Sequence, residues 1–172
     1  MLSHFDDDKR FKGDDQPVIG VSWYAAHAYC FWLSMLELKN ENAKMEVKKI
    51  SNLYRLPNEM EWEWAAGGGV RKFPWGNESK NLSEFANYNG NIGKTTPVTA
   101  YPKGATPEGL NDMAGNVWEW MENEYKGWKG SRSLRGGSWL ANVVSLRWSA
   151  FSGYNLDVHD NVVGFRVVRS RS

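Results

Sequence analysis

A chain of 172 residues suits one domain with a single core, and 21 Lys plus Arg against 20 Asp plus Glu leave a formal charge of +1. That balance offers nucleic acid or an anionic membrane no global attraction. No run approaches the roughly 18 uninterrupted apolar residues of a transmembrane helix, so no direct membrane insertion is expected, and the start MLSHFDDDKRFKGDD is too acidic for a signal peptide's n-region. The one cysteine, Cys30, excludes an intramolecular disulfide and a CxxC metal site. Ten Trp, 7 Tyr and 7 Phe beside 17 Gly predict a turn-rich fold held together by buried rings.

In chain order, VSWYAAHAYCFWLSMLEL predicts a first helix capped by Ser22, with Ala25, Tyr29, Leu33 and Leu36 recurring on one face. Cys30 falls inside it as a buried structural thiol. The charged stretch KNENAKMEVKKISN extends that helix and then forms a surface loop. YRLPNEMEWEWAAGGG carries explicit signals for a second helix: Asn58 as N-cap, Glu61 closing a capping box, and Gly67 to Gly69 as the stop.

From Val70 the helical period is lost. Apolar-polar alternation in NVWEWMENEY, RSLRGGSW and VVGFRVVRS predicts strands, and Leu146, Trp148 and Ala150 alternate as a half-buried strand would. The fold class is α+β, with helices early and a small-sheet, loop-rich region later. No repeat or low-complexity linker interrupts it.

Chemical signatures are sparse. His4, His27 and His159 lack a spacing that brings two to one metal. No GxSxG, GxxxxGK or HExxH occurs. In GLNDMAGNVWEW, Asp112 and Glu119 bracket a Gly-containing turn that can aim two carboxylates and main-chain carbonyls at a hard cation such as Ca²⁺. Equally, Asp112 can cap that turn while Glu119 faces solvent on a strand. RGGSW requires a backbone that only Gly permits, a positive φ or a close strand approach. Arg147 and Arg166 are expected to pair buried carboxylates or carbonyls near it.

Taken in order, PVIGVSWYAAHAYCFWLS, YRLPNEMEWEWAAGGG, FPWGNE, GLNDMAGNVWEW, LRGGSW and GFRVV resemble the formylglycine-generating-enzyme (sulfatase-modifying factor) domain, a variant of the C-type-lectin fold. The resemblance runs from Pro17 to Val168. It implies a domain over residues 17–172 behind an N-terminal extension, 1–16, with two helices, small antiparallel sheets and much irregular chain. It also implies a structural Ca²⁺ held by Asp112, the backbone at Gly115 and Val117, and Glu119. The oxidases of the family hold copper on two thiolates just after the GGS turn. This chain has no thiol between Ser138 and Arg147, so no redox cofactor and no enzyme activity are expected. A branch that makes carbon-sulfur bonds uses iron held by His ligands on a separate helical domain, which is not found in this sequence.

A third branch resembles this chain more fully: the variable proteins of diversity-generating retroelements, such as those of Treponema, which display a hypervariable C-terminal segment. LRGGSW and GFRVV frame such a segment here. Rigid rings among small polar residues are what adaptable binding loops use. Phe151, Tyr154, Leu156, Val158 and His159 cannot share one face at either period, so some of them should be exposed. The expected ligand-binding residues between 140 and 161 are Leu140, Asn142, Val144, Trp148, Phe151, Ser152, Tyr154, Asn155, Leu156, Val158, His159 and Asn161. The expected protein is a monomeric, receptor-like binder of a protein or another macromolecule, displayed on a cell or particle surface. The alternative is an enzyme or enzyme subunit of the formylglycine or ergothioneine type.

Overall fold

The computed structural model describes Phe5, residues 8–40, Ile50 and residues 53–170. Apart from Lys39, Asn40 and Ile50, the predicted helix extension and loop at 39–52 lie outside these residues. Helix α1 spans Trp23–Asn40. Its N-cap is Ser22 as expected, with the hydroxyl accepting from Ala25 N at 3.2 Å. The buried stripe is not the predicted one. Trp23, Ala26, Cys30, Ser34 and Leu38 face the interior, whereas Tyr29 and Leu36 are exposed. The helix is apolar on every side, so periodicity could not choose a face; contact with the sheet did. Burial pushes the Cys30 thiol up to about 11, and it is the one free cysteine, as its structural reading requires.

Ser34 ties α1 to the next element, strand β1 (Tyr54–Arg55): its hydroxyl donates to Cys30 O and accepts from Tyr54 N, both at 2.9 Å. Helix α2 is Glu59–Ala65. Asn58 Oδ1 accepts from Glu61 N and Glu61 Oε2 from Asn58 N, each at 2.9 Å, so the predicted capping box is complete. Gly68 N closes the far end on Glu63 O at 2.7 Å.

Four strands form the main sheet: β2 (Trp118–Glu124), β3 (Ser131–Arg135), β4 (Phe151–Asn155) and β5 (Val163–Gly164), in the order β4-β3-β2-β5. The β2–β3 and β3–β4 pairs are antiparallel and β2–β5 is parallel. VVGFRVVRS therefore divides, since β6 (Val168–Arg169) leaves this sheet to pair with β1. The predicted strand at Leu146, Trp148 and Ala150 is not one. Val143–Leu146 closes into a 3-10 turn capped by Asn142, whose Oδ1 accepts from Val144 N at 3.0 Å. A second turn, closed by Ala150 N donating to Arg147 O at 3.0 Å, takes the residues that follow, so the two-residue alternation finds no strand partner.

The α+β architecture stands, with the sheet packed on both faces. Trp120 and Leu134 meet Trp23, Ala26 and Cys30 of α1, and this core also takes in Phe11, Trp139 and Val163. Met121 meets Trp62 and Ala66 of α2 on the other face. RGGSW needs both of its glycines: φ is +95° at Gly136 and +77° at Gly137, and a Cβ on Gly137 would stand 2.8 Å from Ser145 O. Replacing Asn58 by Ala removes the cap of a helix of seven residues. It is expected to cost about 1 kcal/mol in denaturant unfolding, with the sheet unaffected.

Candidate functional site

Two features stand at the ends of the sheet. The first is a cavity of about 410 Å³ whose lining includes Asn111, Asp112, Val117, Glu119 and Arg166. Glu119 is 4% exposed, so the alternative that sends it to solvent is excluded. Its Oε2 accepts from Trp62 Nε1 at 2.7 Å, and Arg166 donates to both carboxylate oxygens at 2.9–3.2 Å. Arg166 thus pairs a buried carboxylate as expected, while Arg147 is exposed and does not.

Asp112 occupies a left-handed turn position, φ 54°, and its Oδ2 accepts from Asn116 Nδ2 at 2.9 Å. Burial pushes its carboxyl up to about 7. The charge of Glu119 adds to that rise, while the Asn116 hydrogen bond and Arg166 oppose it. The cavity thus holds two carboxylates against one guanidinium, a formal excess of one negative charge. The donors this cavity could offer a hard cation are the carboxylates of Asp112 and Glu119 and the main chain at Val117, while Gly115, expected as a further donor, is not among its lining residues. Among the described residues, no three His, Cys, Asp or Glu side chains gather as metal ligands.

The second feature is the segment 140–161. Leu140, Val144 and Phe151 are 60%, 56% and 59% exposed, and Val143, which the sequence pattern did not single out, is exposed beside them. Asn142, Asn155 and His159 are also exposed. Other members turn inward. Trp148 packs on the Trp62–Met121 cluster, and Tyr154 and Leu156 pack on the main core. Ser152, Val158 and Asn161 are half-buried, and His159 Nδ1 lies 2.9 Å from Gly20 O. The structure therefore brings part of the predicted set to the surface and spends the rest on attachment.

Arg135 is the functional residue that pattern reasoning passed over. Buried on β3, it donates to Glu59 at 2.9 Å, reaches Glu63 at 2.6 Å, and makes longer contacts with Trp148 O and Ala150 O. Its guanidinium also lies 5.5 Å from the centre of the Phe151 ring. Its place directly before the glycine pair of LRGGSW was the available signal.

The family model of the Sulfatase-modifying factor enzyme 1-like domain matches residues 3–171. Hercynine oxygenase of Mycobacterium tuberculosis is 34% identical over 155 residues, covering 77% of this chain and 32% of that protein. Inactive C-alpha-formylglycine-generating enzyme 2 of Bos taurus is 35% identical over 136 residues, covering 72% and 38%. Among solved structures, Treponema denticola variable protein 1 is similar with a TM-score of 0.73 at 28% identity, over 96% of this chain and 76% of that one. The chain spans about a third of the length of the first two relatives.

These likenesses correct one expectation. The absence of thiols after Ser138 does not make the chain a non-enzyme, because an oxygenase stands among its relatives. Missing thiolates bear on chemistry that needs two soft sulfur ligands and on no other.

Asp112 yields a pH prediction. Its folded-state pKa of about 7 lies above the ordinary 3.8, so between these values the folded chain keeps a proton that the unfolded chain has lost. Its contribution is full at low pH and declines as pH rises through that window. In EDTA, the part of the unfolding free energy contributed by Asp112 should fall from about pH 4 to about pH 7, against the opposite trend of Glu37 and Glu61, whose arginine partners hold their carboxyls below the usual range. Asp112→Asn should flatten that slope, as should saturating Ca²⁺, which favours the ionised carboxylate.

Proposed function

The chain belongs to the Sulfatase-modifying factor enzyme 1-like domain family, and from that premise we propose that it binds a macromolecular ligand through the 140–161 segment, as a variable protein of the diversity-generating-retroelement kind. One observation carries this reading: the scaffold grips the segment largely by its main chain. Asn89 N donates to Ala141 O at 2.8 Å, Trp23 N to Leu156 O at 3.0 Å, Gly20 N to Asp160 O at 3.0 Å and Trp139 Nε1 to Asn161 O at 3.1 Å. Arg135 contacts the carbonyls of Trp148 and Ala150. Every residue type offers a carbonyl, so side chains can be exchanged without loss of these bonds. Likeness in fold to a variable protein supports the same conclusion.

The ligand is a protein or another macromolecule, because Leu140, Val143, Val144 and Phe151 each leave a large apolar side chain exposed, and several exposed anchors suit a broad partner better than a small molecule held in one pocket. A Ca²⁺ ion at Asp112 and Glu119 completes the scaffold beneath it. A second reading has its own support in the oxygenase relatives: the same face receives the substrate of an oxygenase whose remaining residues lie outside this sequence.

Alanine at Leu140, Val144 or Phe151 should leave unfolding free energy within about 0.5 kcal/mol of the parent. Collapse of the fold in these variants would assign the side chains to the core and end the binding reading. Sequencing the locus should show a near-identical template repeat beside a reverse transcriptase, differing from the 140–161 coding region mainly at adenines. Oxygen consumption with hercynine by a protein that joins this chain to the residues the second reading places outside it, without such a repeat, would favour that reading.

A further inference from the structure

The turn between β2 and β3, Tyr125 to Gly130, carries aromatic side chains that lie back along the sheet. Tyr125 stands 6.0 Å from Phe151, ring centre to ring centre, and 6.5 Å from Trp128 in an edge contact. Its ring covers Gly153 so closely that a Cβ there would stand 2.3 Å from Tyr125 Cγ. Glycine at that point of β4 is therefore what lets the turn close onto the strand. Trp128 is fixed as well: its N donates to Tyr125 O at 3.2 Å, and its carbonyl accepts from Ser131 Oγ at 2.5 Å. Yet Trp128 remains 49% exposed beside the exposed Phe151. Ordered, half-open rings next to a binding segment are the usual anchors of a protein interface.

Charge sets the chemistry of what they meet. Lys126 and Lys129 flank Trp128, both are exposed, and neither makes an ion pair among the described residues. Arg147, on the turn leading into β4, is exposed and equally without an ion pair among those residues. One exposed carboxylate, Glu124, adjoins them; it is opposite Arg132 in the ladder but makes no ion pair with it among the described residues, the Arg132 guanidinium lying 4.6 Å from the Trp23 ring centre, so the three cations outnumber it. The rings meet edge-on or tilted, a poor platform for successive stacked bases.

We infer that this turn is a fixed arm of the ligand face, and that it receives an acidic, aromatic-bearing stretch of a protein ligand against Trp128, Phe151, Lys126 and Lys129. The inference rests on the proposed role of the 140–161 segment and adds to it a ligand class and a contact surface outside that segment.

The test is fluorescence anisotropy of the full chain with a fluorescein-labelled random copolymer of Glu and Tyr. Binding should weaken at least tenfold in Lys126→Glu/Lys129→Glu and in Trp128→Ala, with unchanged melting temperatures, and should weaken as salt is raised. No binding of the copolymer, or equal binding of oligo-dT, would overturn the acidic-protein assignment. Binding lost in Val144→Ala but unchanged in the turn variants would overturn this inference alone. Binding unchanged in both sets would overturn it together with the segment's role.

Discussion

The fold turns on one buried carboxylate. Glu119 lies on β2, in the interior of the main sheet, and a charge at that depth is tolerated only when its oxygens are paired. Its partners come from distant parts of the chain: Trp62 from α2 and Arg166 from the stretch between β5 and β6. Arg166 also donates to Asn111 O at 2.9 Å, which draws in the turn that carries Asp112. These elements must be in place together or the charge is left exposed to an apolar interior. The same ties set α2 against the sheet and shape the acidic cavity.

Regular structure is modest, and indole N–H groups do much of the work that longer ladders do elsewhere. Trp23 Nε1 donates to Met121 O at 3.0 Å, and Trp120 Nε1 to Val21 O at 2.9 Å, so β2 exchanges hydrogen bonds with α1 and the stretch just before it across the core. Trp139 extends the pattern to Asn161 O. A ring that fills volume at one end and satisfies a main-chain carbonyl at the other can hold irregular chain without fixing the residue it holds. This makes the chain after the glycine pair compatible with change. Its carbonyls are gripped, Trp148, Tyr154 and Leu156 pack inward, and Leu140, Val143, Val144 and Phe151 are left outward.

The chain is similar to an oxygenase, to an inactive enzyme and to a variable protein alike. Glu119, Arg166, Trp23, Trp62, Trp120, Trp139 and the glycine pair, which set much of the scaffold, all lie outside the 140–161 segment.

Local chemistry made several elements legible from residues alone. The Ser22 cap, the Asn58–Glu61 box, the stop at Gly67 and the demand for glycine at Gly136 and Gly137 each depend on neighbours within a few positions, so spacing was sufficient. Helical period early and apolar-polar alternation later gave the α+β class, and ordered similarity to a known domain supplied the framing of the segment. The buried face of α1 could not be read, because a helix apolar on all sides has no preferred direction until the sheet supplies one. The strand expected at Leu146 to Ala150 failed because a pattern of two needs a partner strand, and Asn142 closes a turn there instead. Pairing of Glu119 with Trp62 and Arg166, the grip of Arg135 on the segment, and the meeting of Tyr125 with Gly153 join positions 13 to 57 residues apart. The sequence by itself determined the caps, the turns and the family; only tertiary structure decided which charges are buried and which rings are left open, because both depend on contacts that no local period encodes.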